Sequence, residues 1–285
     1  MQIEINTFIQ VNLKKLTNKT FSKKYISQYI TPIIKNINNS EHKKFIIAGS
    51  QGAGKSTLAK LFKLVLENRY KKKVMLLSID DYYLSKNKRV KLSKKIHPLL
   101  STRGVPGTHD ILRLKNDIIN FQTKNFPITT PIFNKLKDDT SIKKKIIKNA
   151  EILLLEGWCC GTPSINTKYL FQNINRVETL LDKNKKWRQY YNSQLKMNYK
   201  KVFSLFDQQI YIEPPSFNYV LKWRYAQEKN NALKSRNKDF MNKKELQTFI
   251  QHYEKLTRWM MKIMPAKADI LIKIDSNQKI KKVII

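Results

Sequence analysis

The chain is poor in glycine, cysteine and acid, and it has no long apolar run. Each shortage excludes something. No apolar stretch approaches the ~20 residues needed to span a bilayer. The only cysteines, Cys159 and Cys160, are adjacent. Neighbours rarely pair, so this is no disulfide scaffold, and a reducing, cytoplasmic setting fits. Met1-Gln2-Ile3-Glu4-Ile5-Asn6 has no basic segment leading into an apolar one and no Ser- and Arg-rich character, so no secretory or transit signal is read. Acids are few: 21 Asp+Glu stand against 56 Lys+Arg, for a formal net charge of +35. Such a balance can mark a nucleic-acid or anionic-surface binder. Here the basic residues are spread along the whole chain, and Lys, Asn and Ile are abundant throughout. A compositional bias toward A- and T-rich codons is preferred over a nucleic-acid footprint, which should cluster.

The glycine shortage is informative. All seven glycines fall in three segments: Gly49, Gly52 and Gly54; Gly104 and Gly107; Gly157 and Gly161. In a chain this short of glycine, those present mark places where backbone geometry or close ligand approach excludes a Cβ. Three site segments are therefore expected, centred on Gly49–Thr57, Arg103–Asp110 and Glu156–Gly161.

The first segment carries Gly49-Ser50-Gln51-Gly52-Ala53-Gly54-Lys55-Ser56-Thr57, the full Gly-x-x-x-x-Gly-Lys-Ser phosphate loop. Its backbone N–H groups can cradle phosphates, Lys55 brings a point charge to them, and the Ser56 hydroxyl can ligate Mg²⁺. Context agrees. Phe45-Ile46-Ile47-Ala48 reads as a short buried strand before the loop. Leu58, Leu61, Phe62 and Val65, at i, i+3, i+4 and i+7, read as a helix after it. A nucleoside triphosphate site follows.

Four more strands are expected: Val74–Ile79, Ala150–Leu155, Gln209–Ile212 and Asp269–Asp275. Alternating with helices, the five predict a mainly parallel sheet covered on both faces, a three-layer α/β sandwich of the P-loop NTPase type with helical insertions. Residues 1–42 read as an N-terminal helical extension without chemistry of its own, and 43–285 as the catalytic domain. Residues 85–97 look like an exposed Lys-rich excursion, and Ile128–Lys135 like a short hairpin or loop. A long amphipathic helix carries Leu246, Phe249, Ile250, Tyr253, Leu256, Trp259 and Met260 on its apolar stripe, ending near Pro265.

Phosphoryl transfer needs Mg²⁺, a cation at the γ-phosphate and a group to take the acceptor's proton. In parallel α/β sheets, ligands lie off the carboxyl ends of the strands. Asp80, at the end of the second strand, is the candidate base; the competing readings are a Mg²⁺-water ligand or a helix cap, with Asp81 as the alternative base. Glu156 closes the third strand and is assigned to the Mg²⁺ shell, against a base or structural role. Arg103 and His109 are candidate acceptor contacts, the competing reading for His109 being a structural hydrogen-bonding role. Arg224 is either a lid arginine over the phosphates or half of an ordinary i,i+4 ion pair with Glu228.

Together, the phosphate loop, Ser78-Ile79-Asp80-Asp81-Tyr82-Tyr83, Arg103-Gly104-Val105-Pro106-Gly107-Thr108-His109-Asp110, Glu156-Gly157-Trp158-Cys159 and Leu256-Thr257-Arg258-Trp259-Met260 resemble the D-glycerate 3-kinase family. Its sister families are uridine kinase, phosphoribulokinase and bacterial-type pantothenate kinase. The loop and the aspartate after the second strand are common to all of these; the second and third glycine segments are more specific. The resemblance implies ATP-dependent phosphorylation of the 3-hydroxyl of D-glycerate, with Asp80 at the base position. It places Asp81, Tyr83, Arg103, His109, Asp110 and Lys135 around the acceptor. The alternatives are another small alcohol (a nucleoside, pantothenate or a sugar) or, from the charge alone, a nucleic-acid-associated NTPase. One segment departs from the family pattern, which has an aspartate before the lysine and a serine after it; here it reads Asn134-Lys135-Leu136.

Overall fold

A computed structural model of the chain describes residues 2–235 and 243–285. The side chains of Gln227, Glu228 and Leu246 lie outside the described residues.

The five apolar runs form five parallel strands: β1 (Lys44–Gly49), β2 (Val74–Ser78), β3 (Ile152–Gly157), β4 (Gln208–Glu213) and β5 (Ile270–Ile274). A sixth strand, β6 (Ile280–Ile284), runs antiparallel to β5 at the edge and was not expected. The order across the sheet is β6-β5-β4-β1-β3-β2. Alternate residues of the central strands enter opposite cores: Ile46, Ala48, Leu153 and Leu155 on one face, Phe45, Ile47 and Leu154 on the other. Burial on both faces explains why these strands read as continuous apolar runs instead of alternating ones.

Helices cover both faces. Helices α1 (Gln2–Thr17), α2 (Thr31–Asn39) and α3 (Lys55–Arg69) share one core, in which Ile5, Ile9 and Ile34 meet Leu61, Phe62 and Val65. The N-terminal extension is thus packed into the same core as the strands. The Lys-rich stretch after β2 is helical: α4 (Lys86–Lys95) is capped by the Ser85 hydroxyl and anchored by Arg89, which is only 1% exposed. The stretch is largely exposed, as expected, but it is helical, with the buried Arg89 and the partly buried Leu92 holding it to the core. Helices α5 (Ile111–Gln122), α6 (Lys186–Gln194) and α8 (Lys243–Ile263) pack on the opposite face, and α7 (Phe217–Ser235) runs between β4 and α8 in sequence.

The expected hairpin at 128–135 is two short ribbons. Ile128–Thr130 pairs with Lys145–Ile147, and Phe133–Asn134 pairs with Asp139–Thr140. Among the described residues no helix is long and apolar enough to cross a membrane.

Candidate active site

Strand register brings the site segments together. β3 lies between β1 and β2, with Glu156 opposite Ile47 on one side and Ser78 on the other. The phosphate loop leaves β1 at Gly49, and Asp80 lies two residues past the end of β2. The switch in strand order at β1 therefore places the loop, Asp80 and Glu156 at one crevice.

The loop bends back into α3, with Gly54 at φ +91° as the N-cap. Gly52 sits at φ +77°, and a Cβ there would come within 2.7 Å of Trp223 Cβ, so neither the conformation nor the space admits another residue. Lys55 Nζ donates to Ser50 O at 2.8 Å. Burial lowers the Lys55 pKa, and the Glu156 and Asp80 carboxylates pull it back up. The Ser50 hydroxyl is buried without a hydrogen-bond partner. Residues Gln51–Thr57 line a cavity of about 610 Å³ that also reaches Asp80, Glu156 and Arg224. Gly49 and Ser50 are not among its lining residues. The Arg224 guanidinium carbon stands 5.7 Å from the centre of the Phe249 ring.

Asp80, Tyr83, Arg103 and Lys135 converge on the same cavity. Tyr83 donates its hydroxyl hydrogen to Asp80 Oδ1 at 2.8 Å, and Lys135 Nζ donates to Oδ2 at 2.7 Å. Burial pushes the Asp80 carboxyl up, but the Lys135 charge and these two hydrogen bonds outweigh it and bring the pKa to about 2. Asp81 faces elsewhere: its Oδ1 accepts from Phe133 N–H at 3.2 Å, tying the ribbon that carries Lys135 to the end of β2, and burial raises its pKa. The Asn134 side chain accepts from the N–H groups of Leu136 and Lys137 at 3.0 and 3.1 Å, a turn that an aspartate oxygen would close equally well. Leu136 is 84% exposed, so the departure from the family's serine lies outside the cavity.

The Arg103–Asp110 segment is zipped onto the chain after β2: Leu84 N–H donates to Thr108 O and Asp110 N–H to Tyr82 O. His109 does not line the cavity; its ring stacks on Tyr83 at 4.6 Å. Its Nδ1 lies 2.7 Å from the Tyr199 hydroxyl, whose oxygen already accepts from Gly107 N–H at 2.8 Å. Burial lowers the His109 pKa to about 4, so it is a neutral strut behind Tyr83 at neutral pH. Asp110 is likewise outside the cavity. Its carboxylate caps α5 by accepting from Arg113 N–H, which corrects the expectation of a substrate contact.

Two contributions went unforeseen. Asp138 pairs with both Arg103 and the buried Arg89, aiming Arg103 into the site. Tyr253, from α8, donates to Arg103 O at 2.6 Å, packs edge-on to Trp158 at 5.0 Å and covers Gly104. Gly104 was the available signal, since its φ of +127° and the 2.3 Å between a hypothetical Cβ and the Tyr253 ring leave room only for glycine.

No family model matches the chain. An uncharacterized kinase of Schizosaccharomyces pombe is 31% identical over 224 residues, covering 73% of this chain and 76% of that protein. The chain belongs to the family of P-loop kinases that includes D-glycerate 3-kinases and bacterial pantothenate kinases. The chloroplastic D-glycerate 3-kinase of Arabidopsis thaliana is 27% identical over 216 residues, 71% of this chain and 44% of that protein. Bacterial pantothenate kinases are also among the relatives. The solved structure of a D-glycerate 3-kinase from Cryptococcus neoformans superposes with a TM-score of 0.73 at 21% identity, over 100% of this chain and 98% of that one, so the two share a fold.

Proposed function

We propose that this kinase transfers the γ-phosphoryl group of Mg²⁺-ATP to the 3-hydroxyl of D-glycerate, giving 3-phosphoglycerate and ADP. The observation that carries this reading is the convergence, on the cavity that the phosphate loop lines, of Asp80 paired with Lys135 and of a second cation, Arg103. Two cations beside the base suit an alcohol that carries a carboxylate, and a neutral nucleoside offers them nothing. Tyr83, Trp158 and Tyr253 line the same cavity and offer an aromatic wall beside the acceptor.

The residues present fit a Mg²⁺ ion. Glu156 is an acid only 7% exposed beside the loop, Ser56 opens α3 and lines the cavity, and Mg²⁺ usually takes one or two protein groups plus phosphates and water. When bound, the ion neutralises charge on the phosphates. Lys55 leaves Ser50 O to reach the γ-phosphate, and Arg103 and Lys135 hold the acceptor's carboxylate. The acceptor oxygen forms its bond to the γ-phosphorus while the bond to the β–γ bridging oxygen breaks, and ADP leaves with that electron pair. Asp80 takes the hydroxyl proton. A carboxylate this acidic takes it late, once bond formation has acidified the hydroxyl. Drawing Lys135 onto the acceptor also loosens its grip on Asp80 and makes the carboxylate more basic. Tyr83 keeps Asp80 oriented, and His109 keeps Tyr83 in place.

Pantothenate, also a carboxylate-bearing alcohol, is the second reading, favoured by the pantothenate kinases among the relatives. ADP release measured by a coupled assay against D-glycerate, pantothenate and uridine tests both. D-glycerate is expected to drive release. Release with pantothenate alone overturns the acceptor assignment, and hydrolysis stimulated by RNA or DNA without any acceptor overturns the kinase reading itself.

A further inference from the structure

Each of the two cations facing the acceptor comes with an acid of its own. Lys135 pairs with Asp80, which lines the cavity. Arg103 Nη1 pairs with Asp138 Oδ1, and Asp138 is not among the cavity's lining residues, so it meets the guanidinium from outside. That pairing engages Nη1 and leaves other N–H donors of the fork available to the cavity. The acid is firmly held. Its Oδ2 accepts from Nη2 of the buried Arg89 at 2.9 Å, and its main-chain oxygen accepts from the same nitrogen at 2.6 Å. Arg89 is fixed in turn: Nε donates to Leu84 O at 3.1 Å, and Nη1 to Ser101 O at 2.7 Å, two residues before Arg103. The next residue, Asp139, accepts from Lys86 N–H at 3.0 Å and fastens the same ribbon to the start of α4. Lys135 can thus leave Asp80 for an acceptor, while Asp138 stays behind Arg103.

Resting on the acceptor reading above, we infer that Asp138 is a specificity-determining residue that acts through Arg103: it lets the site hold an unphosphorylated hydroxy acid and release the phosphorylated product. The reason is electrostatic. Substrate and product share the carboxylate that Arg103 and Lys135 take, but the product adds a phosphate ester of about −1.5 to −2 charge at neutral pH. A fixed carboxylate behind Arg103 repels both ligands, and the repulsion grows with the ligand's charge. At +35, the field of the chain as a whole draws polyanions in. Asp138 offsets that pull where the acid is bound and released. With Asp138 neutralised, the cations that hold the substrate hold its more highly charged product still more tightly.

The test measures KM for D-glycerate and Ki for added 3-phosphoglycerate in the wild type, Asp138→Asn and Asp138→Glu, with ADP affinity and melting curves recorded for each. Asp138→Asn keeps the size and removes the charge. Its ratio of Ki to KM is expected to fall about tenfold while ADP affinity stays within about twofold. Asp138→Glu, which keeps the charge, is expected to keep the wild-type ratio. An unchanged ratio in Asp138→Asn overturns the inference, and so does a rise of both constants together, the result of a mere strut for Arg103. A measurement on the wild type alone is independent of how the variants fold: the monoacid glycolate is expected to compete with D-glycerate at lower concentration than the diacid tartronate, and the reverse order overturns the inference. Turnover of pantothenate but not D-glycerate overturns the acceptor assignment only, and the ratio is then read with pantothenate and its phosphate ester. A wild type that turns over neither acid overturns the acceptor reading and this inference with it.

Discussion

Asp80 is held ionised by its neighbours, and its reactivity can be read through them. Asp80→Asn keeps the size and the Tyr83 contact but cannot take a proton. It is expected to lower kcat by about 10²–10⁴-fold while ADP affinity stays within about twofold; near-normal turnover would remove Asp80 from the base role. Lys135→Ala tests the same pair by pH. With Lys135 present, the carboxyl at about 2 stays charged across the working range and contributes no acid limb. Without Lys135 the largest influence holding the carboxyl down is gone, and the burial that raises its pKa gains weight. The acid limb of kcat/KM then moves up in pH, so activity begins to fall at a higher pH than in the wild type; a profile that does not move contradicts the pairing. The roles at this scale were unevenly legible. Asp80 could be found because an acid directly after a buried strand is a local pattern. Asp138, in Lys137-Asp138-Asp139, reads as ordinary solvated charge, and only the approach of Arg89 and Arg103 gives it a function.

Two helices rich in lysine and polar residues each carry a buried arginine that bonds to several neighbours. Arg89 reaches Leu84 O, Ser101 O and Asp138 from α4. Arg188 of α6 is fully buried, with Asp182 at 2.7 Å and Glu178 at 3.6 Å, and Lys255 of α8 meets the same Glu178 at 3.3 Å. This network ties α8, which delivers Tyr253 to the site, to the helices beneath it. Arg188→Ala leaves Asp182 and Glu178 buried with too little positive charge. It is expected to destabilise the fold by ~3–5 kcal/mol in denaturant melts, whereas Arg258→Ala on the exposed side of α8 should cost less than about 1 kcal/mol. The chain has only nine arginines. In a chain biased toward lysine they carry the same kind of signal as the rare glycines, because a buried, multiply bonded fork cannot be supplied by lysine. That signal went unused at Arg89, which was read with its exposed lysine neighbours as part of one exposed excursion. The edge strand β6 was missed for a related reason: Lys281 and Lys282 break the apolar run, as is common on sheet edges.

Across the whole molecule, the charge of +35 is spread around a crevice that needs only a few of those cations. Nucleic acid is therefore expected to associate weakly, with steep salt dependence and no stimulation of turnover; activation of ATP hydrolysis by duplex or single-stranded nucleic acid would count against the compositional reading. A nucleotide ligand, in contrast, should stabilise the fold by mass action, by ~2.7 kcal/mol at a hundredfold excess over Kd, read as a rise in Tm with ADP. By itself the sequence determined the phosphate loop, the five parallel strands, the base candidate and the acid after β3. Those features are local, written in motif spacing and in apolar runs. Only the tertiary structure decided that Asp138 steers Arg103 and that His109 and Asp110 brace the site from behind. The physical reason is that these pairings join segments as far apart as His109 and Tyr199. In a chain crowded with like charges, the partner of a given group is set by which surfaces the folded sheet brings into contact.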